Sequence, residues 1–492
     1  MLLGLFAVSF FSFILVLFIP KKNIVLIKQI SLILSFIIFI YCIGIFLYLD
    51  HLYVGFQCKE TFFFFNGLTF SIGVDCISIF FLLLTAILFP ICFLVNWESV
   101  KYRSKDFCVM LLLLEFFLLN VFLSLDLFFF YIFFEGVLIP MFFMIGIWGS
   151  RQRKIHAVYQ FFLYTFFGSI LMLFSIFIIY LHVGSTHLEL VKETFFSEKR
   201  QLFLWLCFFI AFAIKVPMIP FHIWLPEAHV EAPTSGSILL AGILLKLGTY
   251  GFIRFLITLF PYANTFFTPL VIVICLFGVI YGSFGTIRQV DLKKIIAYSS
   301  VVHMNFAIIG LFSKNLEGVQ GSFFLMISHG IISGALFLCI GILYDRYHTR
   351  ILYYYGGLVN VMPIFSIIFL VFILSNMGFP GTSGFVGEIL VLISFFSFNY
   401  KISILLATSM VFSAVYSLWL YNRVIFGEVK NFFFISKSTS LGFFKKWFGC
   451  FSDITRREFF SLLPFFILNI ILGIYPNAIF NTSYFCFVDI LI

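Results

Sequence analysis

The chain has 492 residues, of which 63% are hydrophobic and only 10% charged, and its formal net charge is +9. A soluble domain carries about 25% charged residues, so a soluble enzyme or binding domain is excluded. Ten cysteines are scattered singly, without a Cys-x-x-Cys pair or a His–Cys spacing, so no zinc site, iron–sulfur cluster or disulfide framework is predicted.

Apolar runs of membrane-spanning length, about 20 residues, recur from end to end. Within lipid every backbone polar group needs an internal partner, which leaves helices or a closed barrel. Barrel strands alternate polar and apolar residues over about ten positions, and these runs do not alternate. The pattern predicts an all-α polytopic membrane protein of about fourteen transmembrane helices. The predicted spans are 3–19, 23–48, 70–95, 107–125, 127–148, 157–182, 201–226, 234–256, 265–286, 293–312, 320–343, 363–398, 402–426 and 460–482. The first follows a bare Met with no basic stretch or cleavage site, so it reads as a retained helix. The 78 phenylalanines suit lipid-facing surfaces and an A+T-rich, organellar coding style.

The positive charge is distributed by topology. Of the 30 Lys and Arg residues, 21 fall at odd-numbered loops and seven at even-numbered ones. This asymmetry follows the positive-inside rule. Odd loops are expected on the synthesis side and both termini on the other, and a nucleic-acid partner is not expected.

Ionisable residues at membrane depth come next in chain order. Each costs at least about 2.5–3.5 kcal/mol at mid-bilayer and is functional by default. Glu115 lies in "LLLLEFFLL". Glu135, in "FFFYIFFEGVLIPMFF", is preceded by eight apolar or aromatic residues, so its carboxylate cannot snorkel to the surface. Tyr131 lies one turn back on the same face. Asp75 and Asp126 sit nearer span ends and read as interfacial.

The span 201–226 breaks at "AIKVPMIPFHIWLPEAH". Pro217 removes a helical donor and frees a carbonyl one turn earlier. Lys215 stands beside that break. Freed carbonyls and water are expected to solvate its ammonium, and burial penalises the charged form of a lysine, which suits a group that holds and releases protons. His222 and Glu227 lie past the break, as lining of an exit path or as caps. Lys246, in "SGSILLAGILLKLGTYGF", shares a face with Gly242 and Thr249 on a helix rich in small residues, the composition of close membrane packing.

His303, in "AYSSVVHMN", and His329, on a stripe with Ser322 and Ser333, titrate near physiological pH. Each is either a proton relay or a helix–helix hydrogen bond. Glu388 follows "LSNMGFPGTSGFVG" in the over-long span 363–398, where a second break is predicted. Its glycines lack a preceding strand and a Gly-Lys-Ser/Thr, so they do not form a phosphate loop. Lys215 and Glu388 lie five spans apart. Paired broken helices at matching positions point to inverted repeats. The chain therefore divides into three N-terminal spans (1–106), a first repeat (107–256), a second repeat (265–426), a basic loop (427–459) and a C-terminal span (460–492).

The stretches "KVPMIPFHIWLPEAHVEAPTSGSILLAGILLKLGTYGF", "LKKIIAYSSVVHMN", "SHGIISGALFLC" and "MGFPGTSGFVGE" resemble the proton-pumping antiporter-like subunits of respiratory complex I. The similarity runs from about 107 to 430. It implies two inverted five-helix repeats, a Glu135–Lys215 pair, a linking Lys246, an exit glutamate at Glu388, and polar axis positions at His303, His329 and Glu115. It implies partners in the membrane arm, above all the antiporter-like chains 2 and 5, and membrane lipids. It further implies the mitochondrial inner membrane, with odd loops facing the matrix and both termini facing the intermembrane space. No cofactor is expected in this chain, since NADH, flavin, iron–sulfur clusters and ubiquinone belong to other subunits. A subunit of a multisubunit Na⁺/H⁺ antiporter is the second reading, and a passive scaffold the third.

Overall fold

Polar caps and helix breakers set the ends of the apolar runs. The computed structural model describes residues 1–63, 69–429 and 452–491. The first helices are α1 (Leu2–Phe18), α2 (Ile24–Tyr48), α3 (Ser78–Ser99), α4 (Ser104–Leu123), α5 (Leu127–Trp148) and α6 (Lys154–Val183). A broken pair follows, α7 (Glu198–Lys215) and α8 (Trp224–Glu231), and then α9 (Thr234–Ile257). Next come α10 (Pro261–Arg288), α11 (Leu292–Leu311) and α12 (Leu316–Tyr347). The second broken pair is α13 (Pro363–Asn376) and α14 (Ser383–Phe398), followed by α15 (Tyr400–Ile425), α16 (Arg456–Ile474) and α17 (Asn477–Leu491). Asp126 caps α5 by accepting from Phe128 and Phe129 N–H, and Asp291 caps α11. Thr455 and Glu458 form a capping box on α16, and proline begins α10 and α13. These caps satisfy helix-end donors, and proline at the first turn wastes none.

Eleven helices among the described residues are long and apolar enough to cross a membrane. The shorter α1 and the two broken pairs complete fourteen crossing units. Both predicted breaks are present. In the second, Gly378 and Gly381 hold φ of +73° and +88°, the left-handed region that glycine enters without penalty. The restart at Ser383 is held by Asn469 of α16, whose Oδ1 accepts from Ser383 Oγ at 2.8 Å and whose Nδ2 donates to Ser375 Oγ at 3.0 Å. A cross-helix side chain thus fills donors and acceptors that the break leaves open.

Contacts sort the loops into two faces. Odd loops meet one another: Lys105 donates to the Ile19 carbonyl at 2.6 Å, the Trp148 indole to Tyr102 O at 2.8 Å, and Arg457 pairs with Glu98 at 2.9 Å. Even loops meet on the other face, where the amino terminus pairs with Glu60 at 2.6 Å and Lys59 with Glu189 at 2.5 Å. Between the faces, α9 and α12 are wholly enclosed and α11 nearly so, whereas α2, α6, α10 and α15 expose most of their surface. The enclosed helices carry Lys246, His303 and His329.

Two expectations are corrected. Residues 69–74 are a β-strand, Thr69–Val74, paired antiparallel with Gln57–Phe63, and the third span starts only at Ser78. Alternating "TFSIGV" packs one strand face under Leu125, a period of two that an apolar count overlooks. The last apolar run does not extend to 482; it ends at Ile474, and Pro476 separates α17. Phe480 and Phe487 of α17 meet Phe324 and Phe323, neighbours on α12, so α17 lies across α12. Residues 430–451 of the basic loop lie outside the described residues.

Asp75 lies three residues before α3, near a span end as expected. It is buried, with Oδ2 2.6 Å from Arg254 Nη2, and its carboxylate also accepts from Ser78 N–H. The Arg254 guanidinium lies 4.6 Å above the Phe56 ring. Removing one partner of a buried ion pair strands the other, at about 3–5 kcal/mol. Asp75→Asn is expected to lower the thermal inactivation temperature of the detergent-solubilised protein. Asp75→Leu with Arg254→Met is expected to recover most of the loss. An unchanged transition in the single variant contradicts a structural role for the pair.

Candidate functional site

The seven side chains singled out from sequence form one close-packed row, one looser pair and one isolated acid. The row begins at Lys246. Helix α9 is π-helical over Leu240–Leu244, and Leu245 N–H bonds Leu240 O, five residues back. Its ordinary α-helical acceptor, Ala241 O, is thereby released. Lys246 Nζ donates to that carbonyl at 2.5 Å and lies 2.7 Å from His329 Nδ1 on α12. Lys246 is fully buried.

The His329 and His303 rings lie 5.7 Å apart between centroids, tilted by 45°. On the far side, His303 Nδ1 is 3.0 Å from Glu388 Oε1. Gly378, at the break, packs on that carboxylate, and a Cβ there would meet Oε2. His303 Nε2 and Glu388 Oε2 have no hydrogen-bond partner among the described residues. The space that His303, His329, Ser328, Asn376 and Glu388 share is about 10 Å³ for the centre of a water, the size of one water site. Four titratable groups on α9, α11, α12 and α14 are therefore linked by direct contact or a one-water gap.

Glu135 and Lys215 make up the looser pair. They act on one another electrostatically, yet no direct ion pair joins them among the described residues. The Lys215 ammonium lies 4.5 Å from the centre of the Phe134 ring, a cation–π position. Tyr131 and Ser169 face Glu135. One expectation fails here: the freed carbonyls do not solvate the ammonium. Ala213 O accepts from Met218 N–H at 2.9 Å, and Ile214 O accepts from the Trp224 indole at 2.9 Å. The chain past the break repairs the backbone itself and leaves the ammonium to Phe134 and Glu135.

The pair and the row share a helix contact but no direct link. Gly248 of α9 packs on α7, where a Cβ would lie 3.1 Å from Lys215 Cβ. No hydrogen bond among the described residues joins the Lys215 and Lys246 ammonium groups. Glu115, on α4, is wholly buried, and neither carboxylate oxygen has a partner among the described residues. It stands apart from the row, with the thiols of Cys42 and Cys92 in its field.

Two further residues were missed in the sequence. His229 on α8 is fully buried, stacks on Phe337 at 4.5 Å between centroids, and has no partner at either ring nitrogen among the described residues. Lys293 counts as a loop cation by position but is buried, donating to Ala232 O at 2.8 Å and Ser237 Oγ at 3.3 Å. His229 falls seven residues after His222 in an apolar stretch, a spacing that could have flagged it. Nothing in the sequence distinguishes Lys293 from its neighbour Lys294. Glu227 pairs with Lys294 at 2.8 Å, while His222 is buried between Tyr281 and Tyr298.

Comparison with known proteins places this geometry in context. Residues 124–415 match the family model described as NADH:quinone oxidoreductase/Mrp antiporter, TM. NADH-ubiquinone oxidoreductase chain 4 of Chondrus crispus is 52% identical over 97% of this chain and 94% of its own length. The protein of that name from Marchantia polymorpha is 51% identical over 96% and 94%. Among solved structures, a chain of respiratory complex I from Thermus thermophilus with bound NADH superposes with a TM-score of 0.87 at 27% identity, covering all of both chains. A chain of the Mrp complex from Dietzia sp. DQ12-45-1b gives 0.84 at 16% identity, over 99% and 97%. That second likeness speaks to the fold alone.

Proposed function

The chain belongs to the NADH:quinone oxidoreductase/Mrp antiporter family, and from that footing we propose that protons cross it along Lys246, His329, His303 and Glu388, driven by the Glu135–Lys215 pair. The chain is a proton-translocating membrane subunit of NADH:ubiquinone oxidoreductase, working within a multisubunit complex. The relatives at about half identity favour this over a Na⁺/H⁺ antiporter subunit, since the Mrp likeness is distant.

The observation that carries the route is the contact series 2.7 Å, 5.7 Å and 3.0 Å from the enclosed helices α9, α12 and α11 to Glu388 of α14. Three bases and an acid pass a proton by short hops, with one water filling the gap between the two histidines. Electron transfer takes place in other subunits, and this chain needs no redox cofactor of its own. Energy arrives as an electrostatic change at Glu135. Weakening its hold on Lys215 releases a proton from the ammonium, and hydrating the α7–α9 contact then joins the pair to the row. On the odd-loop side, Lys293 lines a crevice of about 870 Å³, and Ser237 and His229 lead inward from it. Glu115 acts as a further buried acid beside the route. Residues 107–256 and 265–426 are the two inverted units, each supplying one broken helix. We place the chain in the mitochondrial inner membrane with odd loops toward the matrix, both termini toward the intermembrane space, and the antiporter-like chains 2 and 5 as neighbours.

Glu388→Gln tests the route. The amide keeps a hydrogen-bonding atom toward His303 but cannot take up a proton. In sealed vesicles containing the intact complex, protons moved per NADH oxidised are expected to fall, with turnover falling in step. A wild-type ratio removes Glu388 from the route. Sodium-dependent transport without NADH-linked pumping would favour the antiporter reading.

A further inference from the structure

We infer that the odd-loop pocket bounded by the start of α6, the end of α10 and α8 binds the headgroup of an anionic phospholipid. A pocket of about 290 Å³ opens there. Its acids are already engaged. Glu227 pairs with Lys294 at 2.8 Å. Glu231 and Asp291 face the Arg350 guanidinium at 3.7 Å and 3.9 Å, and Arg350 also donates to Val230 O. Glu231 accepts in addition from the Arg151 backbone N–H at 3.2 Å.

The remaining cations of the lining are Arg151, Arg153 and Arg288, all exposed. No ion pair among the described residues takes up their side chains. Three guanidinium groups therefore converge on one pocket without an acid to neutralise them. Guanidinium presents a planar fork of donors that matches phosphate oxygens, and basic pockets between helices on the positive side of a membrane protein recruit lipid headgroups.

The neighbouring surface selects lipid over a free phosphate. The first two turns of α6 expose Ile155 and Tyr159, and the last two turns of α10 expose Tyr281, Phe284 and Ile287. These faces run from the arginines into the apolar band. A cationic rim continuous with two apolar helix faces complements a molecule that joins an anion to hydrocarbon chains. The pocket also contacts α8 through Glu227 and Glu231, so an occupant steadies the odd-side end of the first broken helix. The inference rests on the membrane placement of the chain and is independent of the proton route.

The test uses the intact complex and a photoactivatable phosphatidylglycerol, with labelled peptides mapped by mass spectrometry. Labelling within 151–159 and 281–290 is expected. Unlabelled phosphatidylglycerol should compete; phosphatidylcholine and inorganic phosphate should not. Arg151→Gln, Arg153→Gln and Arg288→Gln together are expected to weaken this labelling about a hundredfold, from three lost charges. If the triple variant does not assemble, the wild-type map and the single Arg288→Gln variant decide. Labelling elsewhere only, or labelling indifferent to Arg288, overturns the inference. Equal competition by inorganic phosphate overturns the choice of lipid. Absence of any labelling means that a partner subunit covers the face, and also overturns it.

Discussion

Lys246→Met is expected to abolish proton translocation and to slow NADH oxidation by the coupled complex by at least about a hundredfold, the lower end of what a positioned proton-transfer group contributes. Lys246 contacts both the π-turn of α9 and the relay on α12. Methionine is one atom shorter and fills nearly the same volume, but it neither carries a proton nor bonds His329. Two stability effects oppose one another. Ala241 O loses its donor, at about 1–3 kcal/mol. A buried cation is also removed, which relieves a larger desolvation cost. Assembly on native gels is therefore expected to match wild type while pumping is lost. The scaffold reading predicts the reverse, with intact proton transfer and impaired assembly. Normal pumping in an assembled Lys246→Met complex removes Lys246 from the route.

Much of this arrangement was legible in the sequence because lipid restricts the choices. Fourteen apolar runs without alternation leave helices as the solution, and the two Pro/Gly interruptions at depth can only be breaks inside protein. Glu135, Lys246, His303, His329 and Glu388 each stand alone in an apolar run, which makes them conspicuous. Their order of contact was not legible. That order depends on the π-turn at Leu240–Leu244, which releases Ala241 O, and on the crossing of α11 and α12 that brings two histidine rings to 5.7 Å. Neither feature has a local residue signature. The strand Thr69–Val74 was misread because it is apolar and abuts a helix of similar composition. The ion pair of Asp75 was not legible because its partner, Arg254, lies 179 positions away and about two turns past Lys246 on the α9 run. The carbonyl part of the solvation expected at Lys215 failed for a chemical reason: Met218 N–H and the Trp224 indole reach the freed carbonyls first.

Lys215 carries the central claim. It is buried at the end of α7, over Phe134, and Glu135 is the acid that acts on it electrostatically. In the proposed route, a change in that acid's influence moves the proton of Lys215, so that a distant redox step acts on a proton. Lys215→Met removes the titrating group and leaves Glu135 to take a proton of its own, without opening a cavity. The most direct measurement is the number of protons moved per NADH oxidised in energy-transducing membranes holding an assembled Lys215→Met complex, compared with wild type. The account predicts loss of pumping through this subunit together with a fall in redox turnover. A wild-type proton-to-electron ratio at wild-type turnover would show that the break beside Lys215 is architectural and that protons do not depend on it.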